Sequence, residues 1–240
     1  MTELLYLTDP YLQEGEAVLL EVALEEGGRW KVICNQTIFY PIGGGQPTDQ
    51  GEFLFADGEK AFVYQVLMKE GRPVHFLQSM REPKEGERVI QRLDWTRRFK
   101  HMRIHSAGHV IDFALHQMGY CPHPLYPLKG DHGKKPSILY QGILAGDIKE
   151  ELEAAANELV KRNLRFTWSF KSLENLQEEA IYLQPGLPKN KPLRALHLEG
   201  VGSVADGGTI VSRTGEIGEI SIKSIEQKQG TTQIYYQIKE

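Results

Sequence analysis

Arg97-Arg-Phe-Lys-His-Met-Arg-Ile-His-Ser-Ala-Gly-His-Val-Ile-Asp-Phe-Ala-Leu-His-Gln-Met118 is where the chain changes character. Phe99, Met102, Ile104, Val110, Ile111, Ala114, Leu115 and Met118 fall at helical spacing, and Gly119 is a natural stop. Upstream the pattern is different. Short apolar runs at Glu16–Glu25, Trp30–Cys34, Thr37–Tyr40, Glu52–Phe55, Phe62–Met68, Val74–Gln78 and Glu87–Leu93 are separated by turn signals such as Glu26–Gly27–Gly28, Asp57–Gly58, Gly71 and Gly86. Strands at that spacing, with no helical stretch among them, predict a small β-barrel or sandwich, assigned as a β-barrel-like domain over residues 1–92. Residues 93–240 then form an α+β domain with an antiparallel sheet and one long helix.

Within that second half, Cys121–Pro136 holds four prolines and reads as loop. Ile138–Leu144 reads as a strand, and Asp147 as the N-cap of an amphipathic helix running to about Asn163. Arg165–Lys171 is strand-like, Ser172 caps a short helix through Glu179, and Gln184–Pro192 is loop. Four strand-like pieces follow near Leu193–Leu198, Thr209–Ser212, Glu216–Lys223 and Thr232–Lys239.

Composition bounds the function classes. The 240 residues carry 28 Lys+Arg against 32 Asp+Glu, a net charge of −4, which excludes a wholly basic nucleic-acid binder. A local basic patch survives that exclusion. Between Arg88 and His105, six basic residues (Arg88, Arg92, Arg97, Arg98, Lys100, Arg103) face only Asp94. A solvated helix face explains most charge runs, but in an acidic chain this one suits a polyanion, with Arg97, Arg98, Lys100 and Arg103 as phosphate contacts. Met1–Pro10 has neither a basic start nor a long apolar core, so it does not read as a signal peptide. No apolar run approaches the roughly 20 residues that span a bilayer. Two cysteines, Cys34 and Cys121, form no CxxC pair, and a reducing cytoplasm is the expected setting.

Three features could carry chemistry. Gly43–Gly44–Gly45, followed by Gln46 and Asp49, is either a hairpin connection or a loop whose N–H groups cradle an anion. His105 and His109, four apart on a helix, lie on one face about 5–6 Å apart, a gap one metal ion can bridge. Without a third ligand such a pair is more often structural. His101 lies about 12 Å of helix rise from His109 and cannot share the same ion. Asp206–Gly207–Gly208 alone reads as a turn.

Taken together, the string Thr37-Ile-Phe-Tyr-Pro-Ile-Gly-Gly-Gly-Gln-Pro-Thr-Asp49, the string Asp94 to His109, and Gly207-Gly-Thr-Ile-Val-Ser-Arg-Thr-Gly-Glu-Ile-Gly218 resemble the AlaX family. These are free-standing relatives of the editing domain of alanyl-tRNA synthetase. The motifs occur in the family's order over nearly the whole chain, in its two-domain form. The resemblance implies an ATP-independent hydrolase that deacylates mischarged tRNA(Ala), chiefly Ser-tRNA(Ala) and also Gly-tRNA(Ala). It implies tRNA as partner, with no membrane and no DNA.

The family binds zinc through HxxxH and a later CxxxH. The first pair falls on His105 and His109. The second falls on Asp206, where the family has Cys, and on Ile210, where it has His. Aspartate can ligate zinc through oxygen; isoleucine cannot ligate anything. Three protein ligands would still suit an open catalytic site, and the harder donor set also suits another divalent metal. By the same resemblance Thr37 reads the serine hydroxyl, amides near Gly44 and Gly45 meet the oxyanion, and Gln46 orients substrate or water. Taken without the family, Thr37 is a β-former in a strand. Two other readings stay open: a tRNA-binding module whose altered second motif hydrolyses nothing, and a hydrolase of another aminoacyl or acyl ester. His123, His132, Lys134 and Lys135 are expected in a loop that touches the tRNA acceptor end.

Overall fold

A computed structural model describes residues 2–25 and 27–239. The chain divides into two compact units, residues 1–101 and residues 102–240.

The first unit holds β1 (Glu3–Leu4), β2 (Glu14–Glu25), β3 (Arg29–Cys34), β4 (Gln36–Thr37), β5 (Gly51–Phe55), β6 (Lys60–Lys69), β7 (Arg72–Ser79) and β8 (Arg88–Leu93). β1 and β4 pair in parallel, and the others close into a barrel in the order β2-β3-β7-β6-β5-β8. Closure leaves no open edge, and the inward residues fill the interior. Leu19, Val32, Phe39, Phe53, Val63 and Leu77 are wholly buried there. β8 shows the period: Val89, Gln91 and Leu93 are buried, while Arg88, Ile90 and Arg92 are exposed. Gln91 is tolerated inside because both ends of its amide are used: it accepts from Ile38 N–H at 2.9 Å and donates to the Gln36 carbonyl at 2.9 Å. In the turn expected at 26–28, Glu26 lies outside the described residues, and Gly27 and Gly28 both take positive φ. Met1, the first residue of the leader considered above, also lies outside them.

Helix α1 spans Trp95–Gln117, its first turn closed by Asp94, whose carboxylate accepts from Arg97 N–H at 3.0 Å. The boundary between the two compact units falls inside this helix, after His101.

The second unit adds β9 (Tyr126–Asp131), β10 (Ser137–Gln141), α2 (Lys149–Lys161), β11 (Phe166–Lys171), α3 (Leu173–Gln177), β12 (Ala180–Tyr182), β13 (Leu193–Leu198), β14 (Gly202–Ala205), β15 (Ile220–Lys228) and β16 (Thr231–Ile238). Two four-stranded sheets result, ordered β15-β16-β10-β9 and β11-β13-β14-β12. The first is antiparallel throughout; in the second, β12 pairs in parallel with β14. α2 is tied to β15 by Asn157, whose side chain exchanges bonds with the Ile220 backbone at 2.7 and 2.9 Å. Ser172 caps α3 through Asn175 N–H.

Three expectations need correction. The proline-rich stretch Cys121–Pro136 contains a strand, β9, which accommodates Pro127 because it is an edge strand with one side unpaired. Thr209–Ser212 is not a strand: β14 ends at Ala205, and the segment after it is irregular, though Ile210 and Val211 are buried. α2 starts later than Asp147, which stands one residue outside the cap position and accepts from Lys149 N–H at 3.0 Å. No helix among the described residues is long and apolar enough to cross a membrane.

Candidate functional site

The second unit brings together residues far apart in sequence. His105 and His109 stack on one face of α1, ring centroids 5.0 Å apart, and both are buried. The segment after β14 returns to that face, held by Val211 N–H donating to Ser106 Oγ at 3.0 Å. This puts the Asp206 carboxylate between two sets of partners. Its Oδ1 lies 3.3 Å from His105 Nε2 and 3.5 Å from His109 Nε2. Its Oδ2 accepts from Gly208 N–H at 3.1 Å and faces Arg194 Nη1 at 3.3 Å. Arg194 is itself fixed by the Gly208 carbonyl at 2.8 Å and lies over the Trp168 ring, 4.6 Å from its centroid.

The electrostatics follow from burial and these contacts. Burial works to raise the Asp206 carboxyl, but His105 and His109 outweigh it and hold it well below the usual carboxylate range. Burial dominates at His105 and lowers it, whereas at His109 the pull of Asp206 and Asp112 overcomes burial and raises it.

A metal is a chemical possibility for this donor set. The ligand atoms of His105, His109 and Asp206 lie within 4.8 Å of one another. Atoms bound about 2.0–2.1 Å from a tetrahedral zinc lie about 3.4 Å apart, which the 3.3 and 3.5 Å separations match. Neither ring nitrogen of His109 has a hydrogen-bond partner among the described residues, and the 3.5 Å approach to Asp206 is too long for one. A buried imidazole in that state fits a metal ligand. Two imidazoles and one carboxylate therefore suit zinc or another divalent ion, with the remaining position open. Ile210 is buried and offers no donor.

Around this centre lie Asp112, Tyr140, Tyr182 and Tyr236, which the sequence did not single out, and His132, which it placed in a loop. His109 Nδ1 faces Asp112 Oδ2 at 3.9 Å, and that carboxylate accepts from the Tyr140 and Tyr182 hydroxyls, each at 2.6 Å. Asp112, expected only as part of a helix, is raised by its burial. His132 lies in the loop between β9 and β10, as expected, but it is buried and its ring stacks on His105 at 4.2 Å. Tyr236 donates its hydroxyl to the Ile104 carbonyl at 3.1 Å and meets His132 Nδ1 at 2.7 Å, so Nδ1 carries the proton of that ring. Gly108 leaves the room: a Cβ there would lie 2.8 Å from His132 Cε1 and 3.0 Å from the Tyr236 hydroxyl.

The remaining expected residues lie in the barrel unit, apart from Arg103. Gly43 and Gln46 close a turn on each other, Gln46 N–H to the Gly43 carbonyl at 2.8 Å and the reverse at 3.3 Å. Gly44 and Gly45 both take positive φ, the geometry of a two-residue hairpin turn that favours glycine. The Thr37 hydroxyl is wholly buried, accepts from Phe39 N–H at 3.0 Å and meets His75 Nε2 at 2.8 Å. Burial lowers His75 to about 4, so its ring is neutral, with Nδ1 toward the Val32 carbonyl at 3.2 Å. Nε2 therefore accepts from Thr37, whose oxygen keeps one lone pair.

The residues of the basic patch divide by their partners. Arg98 is fully buried and paired with Asp49, and donates to the carbonyls of Pro10 at 2.8 Å and Ile38 at 2.5 Å. That leaves no edge for a phosphate, so its role is structural, correcting the expectation of a tRNA contact. Arg97 Nε donates to the Thr48 carbonyl, and Arg103 to the carbonyls of Ile217 and Lys239. Lys100 is exposed.

Comparison with known proteins adds an independent line. The family described as tRNA synthetases class II (A) matches residues 13–97. The chain is 32% identical over 246 residues to the alanyl-tRNA editing protein AlaX-M of Saccharolobus solfataricus, covering 100% of both. It is 32% identical to the alanyl-tRNA editing protein AlaX-L of Pyrococcus horikoshii over 95% of this chain and 55% of that one. Alanine–tRNA ligase of Halobacterium salinarum matches at 33% identity over 95% of this chain and 25% of the ligase. The chain thus spans about a quarter of the length of such ligases.

Proposed function

Because this chain belongs to the AlaX family of alanyl-tRNA editing proteins, we propose that it deacylates mischarged tRNA(Ala), chiefly Ser-tRNA(Ala) and also Gly-tRNA(Ala). The observation that carries the reading is the buried convergence of His105, His109 and Asp206, in a chain that matches AlaX-M from end to end.

The reaction is ester hydrolysis: water adds to the aminoacyl carbonyl, the bond to the ribose oxygen breaks, and the proton passes to that oxygen. His105, His109 and Asp206 would hold the metal, which when bound supplies positive charge for the ester carbonyl or the substrate amine. Arg194 fixes Asp206 Oδ2 and so aims Oδ1 at the two imidazoles. Asp112, held by two tyrosine hydroxyls, faces the other nitrogen of His109 and orients that ring. On the barrel unit, Thr37 is the proposed reader of the serine hydroxyl through its remaining lone pair. A site that pairs a hydroxyl leaves a polar group unsatisfied when alanine arrives, which spares the correct product. Gly44 and Gly45 are the proposed amide donors to the oxyanion, and Gln46 the orienting amide. Arg97, Lys100 and Arg103 are the proposed contacts to tRNA phosphates.

The apolar Ile210 favours one rival, a tRNA-binding module without hydrolysis. A single assay decides between them: deacylation of Ser-tRNA(Ala) against Ala-tRNA(Ala) on protein as purified, after chelation, and after zinc is restored. Serine-selective hydrolysis that disappears on chelation and returns with zinc is the expected result. Hydrolysis that survives chelation removes the metal from the mechanism, and none in any condition selects the rival.

A further inference from the structure

A cavity of about 480 Å³ opens in the second unit; it takes in Lys134 and Lys135, which the sequence places in a loop expected near the tRNA acceptor end, and adds residues that no role above uses. Lys134, Lys135 and Lys223 line it, with Glu226 as the one acidic residue, so a local positive balance sits in a chain of net charge −4. All three lysines are exposed, and among the described residues none of their side chains makes a salt bridge or hydrogen bond. This contrasts with Lys31, Lys60, Lys171 and Lys239, each paired with a glutamate. The placement of Lys223 has a backbone cause. A bulge interrupts the β15–β16 register between Ile222 and Ser224, and bulges re-aim the side chain they carry. Tyr235 lends a half-buried aromatic ring to the same wall.

One residue of the cavity lining also belongs to the contacts around the histidine centre. That residue is Tyr236, whose hydroxyl meets His132, and His132 stacks on His105.

We propose that this cavity is an RNA-backbone site: Lys134, Lys135 and Lys223 take phosphates of single-stranded RNA leading to the esterified 3′ end, and the Tyr235 ring takes a base. Lysine ammonium groups bind phosphate as point charges, and aromatic rings stack bases without sequence preference, which is the usual pairing in single-strand grooves. The volume lies in the range of sites for ligands of nucleotide size. The proposal rests on the tRNA-editing reading, and it adds a binding surface separate from the basic patch on α1.

The test uses the full chain and uncharged tRNA(Ala) as probe. Wild type, Lys223→Glu, Lys134→Glu/Lys135→Glu and Tyr235→Ala are titrated across a salt series, with melting curves to verify folding. The charge variants should bind roughly three- to tenfold more weakly for each phosphate no longer held, with a salt slope shallower by about one per lysine. Tyr235→Ala should weaken binding and leave the slope unchanged. Turnover of 3′-seryl-adenosine, which has no upstream phosphate, should be the same in all four proteins. Wild-type affinity and slope in the folded charge variants would overturn the site, even if Ser-tRNA(Ala) is hydrolysed normally. Weakened binding in a chain that hydrolyses nothing would keep the site and overturn the editing reaction. No binding of tRNA by the wild type would overturn both.

Discussion

The two units each bury charge, and they do so in opposite ways. In the barrel unit, Arg98 and Asp49 are both almost completely inaccessible, and the guanidinium is used up on one carboxylate and two carbonyls. His75 there is likewise satisfied, neutral, with a partner on each nitrogen. In the second unit, two imidazoles converge on one carboxylate oxygen, Asp206 Oδ1, at 3.3 and 3.5 Å. His109 keeps both nitrogens unpartnered among the described residues. A buried ionic group with every valence met is scaffold, whereas a buried imidazole beside a carboxylate with both nitrogens unmet, as at His109, points to chemistry.

The contrast can be broken most forcefully at Asp49. Asp49→Ala strands a buried guanidinium and should cost about 3–5 kcal/mol of stability, read as a lower urea midpoint. A change below 1 kcal/mol would show that the pair is hydrated and remove it from the scaffold. A smaller effect, of about 3 kcal/mol, is expected from His75 as a function of pH. Its folded value is depressed to about 4, against about 6.5 in an unfolded chain. The unfolded state therefore takes the proton first. This contribution is fully present above about pH 6.5, is lost as pH falls to 4, and declines no further below that. Melting of His75→Gln should show a flatter profile over this window than wild type; an identical profile would exclude His75 as a source of the loss. The third effect sharpens the other side. Asp112→Asn should weaken zinc affinity by about 10–100-fold while the melting point moves little, measured by competition with a chelating dye. Unchanged affinity would reduce Asp112 to a partner of Tyr140 and Tyr182.

Much of the barrel could be read from the chain because its strands obey a period of two and are punctuated by Gly and Asp turns. Glu16–Glu25, Trp30–Cys34 and Glu87–Leu93 each fall on a barrel strand to within about two residues. The histidine pair was legible for the same reason, since helical spacing is local. What stayed hidden depends on long-range return of the chain. Tyr140 and Tyr182 meet Asp112 across 28 and 70 residues, and His132 meets Tyr236 across 104. No window of sequence contains both partners. Arg98 was misread because an arginine in a charge run ordinarily faces water, and only the folded barrel reveals the carboxylate waiting for it. β9 was missed because prolines argue for loop unless the strand is known to lie at an edge.

The position of Arg98 also bears on where this protein can be divided. Element boundaries suggest a cut after β8, and the family match to the first unit ends at residue 97. Either cut would keep Asp49 and discard its counter-ion, leaving a carboxylate buried in a barrel with nothing to neutralise it. The smallest inheritable piece of this architecture is therefore the barrel plus the opening turns of α1, through His101. A shuffling event that cut before Arg98 would break it, and one that kept the helix through His101 would not.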